Sequence, residues 1–235
     1  MAFTNSPLVS YTRISPYSSG RKGRNIDTIT IHCSASQAAV ETLGRLFQTK
    51  AASANYGIGP DGRVGMYVEE RNRSWATSDE ENDLRAVTIE VACENKHPYR
   101  VNEAAYKTLL DLVTDICRRN GIKKLIWSTS KADRVSHKNG CNMTVHRDYE
   151  NKACPGQWLY ERHGQIAAEV NKRLTEDEEM IRWKTIEDVP EGFYRDTVRQ
   201  LMQDGIIKGK GNGVIDLTED MLRVMIFCQR IIGKA

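Results

Sequence analysis

Ile26-Asp27-Thr28-Ile29-Thr30-Ile31-His32 is the stretch on which the fold turns. It is rich in β-branched residues, and successive side chains of a strand point to opposite faces. Ile29 and Ile31 therefore point into a core, while Thr28, Thr30 and His32 share the other face with Ile26. Ala86-Val87-Thr88-Ile89-Glu90-Val91-Ala92 repeats the pattern. Val87, Ile89 and Val91 take one face, and Thr88 and Glu90 the other. His32 and Glu90 each stand on the non-core face of a strand.

Working outward, Val40, Leu43, Leu46 and Phe47 fall at helical spacing. Pro60-Asp61-Gly62 between Asn55–Gly59 and Arg63–Val68 reads as a hairpin turn, because Pro presets φ and Gly accepts positive φ. Residues 102–120 predict a helix with Asn102 as N-cap, an apolar stripe from Tyr106 to Cys117, and a stop at Asn120-Gly121. Leu125-Ile126-Trp127 reads as a short strand, Ser128–Asn142 as a polar loop, and Met143–His146 as another short strand. Residues 157–174 predict a helix with Leu159, Ile166, Val170 and Leu174 inward. Strands alternating with helices imply an α/β domain around a central sheet.

Residues 1–25 read as an extended arm on this domain, which spans 1–174. The charged run Thr175-Glu176-Asp177-Glu178-Glu179 opens a linker over 175–182, and 183–235 forms a small, mostly helical second domain. Its helices are expected near Tyr194–Gln203 and after Thr218, with the Gly-rich turn 209–213 between them. That turn lacks the strand–loop–helix spacing of a phosphate-binding loop.

A chain of 235 residues, 40% hydrophobic and 28% charged, can bury a substantial core. No apolar run is long enough to span a bilayer, so membrane insertion is not expected. The N-terminal residues show no basic stretch followed by an apolar one, which predicts a protein made in the cytoplasm without a secretory signal. Six cysteines without paired spacing fit a reducing compartment. Residues 1–174 hold 25 Lys and Arg against 19 Asp and Glu, a net +6, and residues 175–235 carry −3. No dense Lys/Arg stripe with interleaved aromatics is present, so nucleic acid is not an expected partner. An anionic polymer suits the basic part equally well.

Three residues could carry chemistry. His32 ends one strand, His146 ends another, and Cys154 follows eight residues later. Imidazole and thiolate are good zinc ligands, and three protein ligands leave a fourth position open, the catalytic arrangement. On spacing alone, a histidine at a strand end also reads as a satisfied polar residue, and Cys154 as a small buried one.

The segments ITIHCSAS, SANYGIGPDGRVGMYVEERNRSWA, AVTIEVA and TVHRDYENKACPG resemble, in order, the type 2 N-acetylmuramoyl-L-alanine amidases. That family includes phage endolysins and is related to the peptidoglycan recognition proteins. The resemblance covers residues 25–174 and implies a mixed sheet flanked by helices. It implies a zinc (Zn2+) site at His32, His146 and Cys154, and hydrolysis of the amide between muramic acid and the first L-alanine of bacterial peptidoglycan. It further implies Lys152 as the group that stabilises the oxyanion. Glu90 becomes the general base toward the attacking water. Two places depart from the family. A tyrosine and a histidine used by other members fall here on Ala54 and Asn55, with Tyr56 out of phase but near enough to line the groove. Trp75-Ala76 stands where members often have Trp-His, with Thr77 or Ser78 as replacements.

The resemblance leaves three functional readings. The first is an endolysin-like enzyme that reaches the wall after release from the cytoplasm. The second is a non-catalytic peptidoglycan-binding module, which Cys154 disfavours because binding-only relatives commonly lose that ligand. The third is another zinc hydrolase, such as a peptidase. Residues 183–232 faintly resemble one unit of the surface-layer homology type, through Ile186-Glu187-Asp188-Val189, Leu201–Gly209 and the helix after Thr218. That implies a module binding a wall polymer. Its small size also favours self-association, with a homodimer as the expectation. His97, His137 and His163 match no ligand and are expected at the surface or in local hydrogen bonds.

Overall fold

The computed structural model describes residues 3–179 and 181–232. The first two residues of the predicted arm, residue 180 of the predicted linker and the last three of the predicted module lie outside the described residues. The chain divides into two compact units, 1–174 and 175–235.

The first unit runs β1 (Val9–Thr12), β2 (Ser18–Gly20), β3 (Thr28–Cys33), α1 (Val40–Thr49), β4 (Tyr56–Ile58), β5 (Val64–Met66) and β6 (Asn72–Ser74). It continues α2 (Glu80–Arg85), β7 (Ala86–Val91), α3 (Glu103–Asn120), α4 (Lys131–Val135), β8 (Met143–Thr144) and α5 (Gln157–Glu179), whose last five residues fall in the second unit. Six strands form one sheet in the order β1-β5-β4-β7-β3-β8. The β4–β5 pair is antiparallel and the other pairings are parallel, so the sheet is mixed. The β4–β5 hairpin turns at the expected Pro-Asp-Gly, where Gly62 adopts φ 79°.

One face of the sheet carries the main core. Ile29, Ile31, Val87, Ile89 and Val91 pack there with Leu109, Leu112, Val113 and Ile116 of α3 and Leu159, Ile166 and Val170 of α5. Each such side chain contributes about 1.5–3 kcal/mol when fully buried. Asn102 caps α3 by accepting a bond from the Ala105 N–H at 2.8 Å, and Gly121 ends the helix at φ 70°.

The other face is also buried, but its interior is polar. The Thr30 and Thr144 hydroxyls meet at 2.8 Å. Asn82 Oδ1 accepts from Thr144 at 2.7 Å and from the Tyr149 hydroxyl at 3.0 Å. Asn55 Oδ1 accepts the Thr88 N–H at 3.1 Å. A buried polar layer is tolerable only because its members satisfy one another.

Several local expectations change. The arm contributes strands: β1 joins the main sheet and β2 pairs antiparallel with β6. Leu125–Trp127 is not a strand: the Asn142 N–H reaches the Ile126 carbonyl at 3.1 Å, but the Leu125 and Ile126 N–H groups go to side-chain amides instead of to a neighbouring strand. The Leu125 N–H donates to Asn171 Oδ1 at 2.7 Å, and the Ile126 N–H to Asn142 Oδ1 at 2.8 Å. The polar loop contains α4, capped by Ser130. Strand β8 stops at Thr144, and His146 begins a 3-10 turn, His146–Asp148. Helix α5 runs through the charged run to Glu179. Tyr56 does not line the groove. It is fully buried, donates to Glu70 Oε1 at 2.7 Å and accepts from the Ser6 N–H at 2.9 Å.

The second unit has a two-stranded antiparallel ribbon, β9 (Arg182–Trp183) with β10 (Leu217–Thr218), and helices α6 (Phe193–Gln203) and α7 (Glu219–Ile232). Trp183, Val189, Val198, Leu201, Ile207, Ile215, Leu217 and Leu222 form its core. The Gly-rich segment is a turn closed by the Lys210 N–H on the Val214 carbonyl at 2.7 Å.

His97 is exposed, and His137 Nδ1 bonds the Cys141 carbonyl at 2.9 Å. His163 is fully buried on α5, where its Nδ1 donates to the Leu159 carbonyl at 2.7 Å. Its ring lies 4.5 Å from that of Trp127. Burial pulls its pKa from 6.5 down to about 4. The unfolded chain therefore takes up this proton before the folded one does, and stability present above pH 6.5 is lost as pH falls towards 4. Between pH 7 and 5 the native protein should lose about 2 kcal/mol more than His163→Gln. Urea unfolding at both pH values checks this; parallel losses would contradict it.

Candidate metal centre

Strand register builds the first half of the site. Across β3–β7, His32 stands opposite Glu90, and across β4–β7 Glu90 stands opposite Gly57. The His32 and Glu90 side chains thus share the non-core face, with Nδ1 and Oε1 3.9 Å apart. No side chain fits at Gly57, where a Cβ would lie 2.7 Å from the Tyr67 ring. His32 is 1% exposed, and burial lowers its pKa, which keeps the imidazole neutral. His32 Nε2 and Glu90 Oε2 are buried without a protein hydrogen-bond partner.

The second half comes from the turn after β8. Arg134 is buried on α4 and grips Asp148 through two bonds, Nε to Oδ2 at 2.7 Å and Nη2 to Oδ1 at 2.5 Å. Its Nη1 donates to the Ser128 carbonyl at 2.7 Å, and its guanidinium lies 4.4 Å from the Trp127 ring. Asp148 in turn accepts the Val145 N–H at 3.3 Å, which fixes the entry to His146. The Arg147 N–H donates to the Cys154 carbonyl at 3.2 Å and draws both ends of the 146–154 loop together.

The result brings all three predicted ligands into one place. One donor atom from each of His32, His146 and Cys154 lies within 4.8 Å of the others. Cys154 Sγ and His32 Nδ1 are 3.4 Å apart, and the two imidazole centroids 5.2 Å. Tetrahedral zinc with N and S ligands holds its donors roughly 3.3–3.6 Å apart; the Cys154–His32 pair stands at that spacing, and two imidazoles and a thiolate are a donor set the ion favours. Cys33, beside His32, is pushed up to about 12, first by its hydrogen bond with Cys154. It stays a thiol.

Glu150 completes the rim. Its Oε2 lies 3.1 Å from His146 Nε2 and accepts the Ser78 hydroxyl at 3.0 Å. Its Oε1 lies 3.6 Å from Lys152 Nζ. The His146 bond holds the Glu150 carboxyl below the usual carboxylate range. Lys152 is half exposed and shares a cavity of about 610 Å³ with His146, Glu150 and Trp75. A second cavity of about 560 Å³ is lined by Glu90, Cys33, Arg45, Leu46 and Phe47. Lys50 and Ala52 border both. Of the two residues expected to replace the missing histidine, only Ser78 reaches the site. Thr77 is buried and donates to Asp83 Oδ1 at 2.7 Å. Sequence reasoning missed Glu150 and the Arg134–Asp148 pair. The four-residue step from His146 to Glu150 was the available signal for the former.

The sequence profile of the family described as N-acetylmuramoyl-L-alanine amidase matches residues 22–157, more than half of the chain. The chain belongs to the N-acetylmuramoyl-L-alanine amidase family. The solved structures agree in fold. A selenomethionine derivative of AmpD is 18% identical, with a TM-score of 0.52, and the match covers 71% of this chain and 99% of that one. The endolysin amidase LysCS from Clostridium intestinale URNW is 17% identical, with a TM-score of 0.50, over 69% of this chain and 93% of that one. No curated protein sequence matches the chain. Family membership gives this amidase peptidoglycan as its substrate.

The clamp under His146 yields a stability prediction for the amidase. Arg134→Leu leaves Asp148 buried and unpaired, which should cost about 3–5 kcal/mol. Urea unfolding of the variant checks this, and a loss below about 1 kcal/mol would show that the pair does not hold the turn.

Proposed function

We propose that the amidase is zinc-dependent and cuts the amide joining the lactyl group of muramic acid to the first L-alanine of the stem peptide, as an endolysin or autolysin. The convergence of His32, His146 and Cys154 within 4.8 Å carries this reading. These three residues would hold the ion. Bound there, zinc supplies Lewis acidity toward the scissile carbonyl and toward water.

The chain's own residues do the rest. Glu90 places a carboxylate 3.9 Å from His32 Nδ1, and its Oε2 is free of protein partners. It takes the proton of the attacking water and passes it to the departing amine. Lys152 places a cation on the opposite rim, where negative charge develops on the carbonyl oxygen. The two cavities receive the polymer on either side of the bond. Trp75, 39% exposed, offers an aromatic wall in the larger one.

The 175–235 unit is proposed as a module that binds a wall polymer or self-associates. It has its own core, and Phe193, Val224 and Phe227 stay more than 60% exposed, which suits a contact surface.

Two variants test the proposal. Cys154→Ser replaces a thiolate with a poor ligand, so bound zinc and wall-lytic activity should be lost together. Glu90→Gln should retain zinc, measured by metal analysis, while kcat falls roughly 10²–10⁴-fold. A lytic Cys154→Ser enzyme free of zinc would overturn the metal assignment. A fully active Glu90→Gln enzyme would remove Glu90 from the reaction.

A further inference from the structure

We infer that Glu150 is the positioning residue of His146: its carboxylate accepts the Nε2 proton and turns Nδ1 toward Cys154 and His32. The inference rests on the reading of His32, His146 and Cys154 as a metal centre. A ring nitrogen is directed by the bond its partner nitrogen makes. His146 Nε2 lies 3.1 Å from Glu150 Oε2. A carboxylate oxygen only accepts, so Nε2 carries the hydrogen and Nδ1 keeps the lone pair that a metal requires.

Glu150 is itself held from two further sides. Ser78 donates to the same Oε2 at 3.0 Å, and Lys152 Nζ lies 3.6 Å from Oε1. The carboxylate is therefore placed by a loop distant in sequence as well as by its own. The buried His32 needs no such partner to aim it, because its strand register and the pairing with β7 already set its direction. His146 sits in a short turn and is partly exposed. Its ring has more freedom to lose. The same carboxylate ties Lys152 to His146 within one cavity.

The test uses the full chain and two readouts other than turnover. The first is the His146 tautomer in the metal-free protein at pH 8, read from imidazole ¹⁵N shifts. The native protein should show the Nε2–H form, and Glu150→Ala a mixture of tautomers. The second is zinc affinity by competition with a chromophoric chelator. Glu150→Ala should bind zinc roughly 10–100-fold more weakly. Glu150→Gln, which keeps an acceptor oxygen without the charge, should stay within a few-fold of the native protein. Equal weakening in both variants would assign the effect to charge and overturn positioning. Native affinity and an unchanged tautomer in Glu150→Ala would overturn it outright and leave the metal centre standing. A native protein that binds no zinc would overturn the metal centre, and the tautomer would then decide the role of Glu150 alone.

Discussion

The parallel pairing of β3 with β7 is the constraint on which the site depends. It sets Ile29 against Val87 and Ile31 against Ile89 on the core face, and His32 against Glu90 on the other. Side chains of a strand alternate, so a slip of one residue would send His32 into the apolar core and an isoleucine into the site. The apolar face makes such a slip expensive. Core packing therefore sets the register of His32 against Glu90, and the two cannot be tuned separately. The chemistry-bearing atoms need only occupy the positions that the hydrophobic pattern leaves over.

The other half of the centre lies outside the sheet, and polar contacts hold it. His146 follows a two-residue strand and opens a short turn. Apolar burial cannot aim so small an element. Arg134 and Asp148 do so with a buried two-bond grip, and the backbone bond from Arg147 to Cys154 closes the loop. A desolvated ion pair adds little net stability but penalises every geometry that breaks it. That suits a turn whose task is to fix a direction. The polar layer of Thr30, Thr144, Asn82 and Tyr149 continues the same logic beneath the sheet.

What was legible in the sequence follows from this division. The alternation of Ile29, Ile31, Val87, Ile89 and Val91 exposes β3 and β7 directly, and with them the placement of His32 and Glu90. The hairpin and α3 were legible because a turn or cap residue marks their ends. Strands β1 and β2 were not, since they are short, polar and stabilised by partners far away in the chain. Leu125–Trp127 has strand-like residues but bonds to Asn171 and Asn142 side chains, which no local pattern announces. Tyr56 misled for the opposite reason. Its nearness to the place of the family's tyrosine suggests a groove, but Glu70 and Ser6 satisfy its hydroxyl inside the fold. The candidate ligands His146 and Cys154 carry no local pattern of their own beyond the ordered family segments around them, and their meeting with His32 is a property of the tertiary structure.

Under the proposed function, this centre hydrolyses one bond, between the glycan's lactyl group and the stem peptide. Mass analysis of purified walls digested by the 235-residue chain tests this reading. Free stem peptides beginning with L-alanine are expected, beside glycan strands of unchanged length. New reducing ends on the glycan, or peptides cut within the stem while still attached to muramic acid, would contradict it.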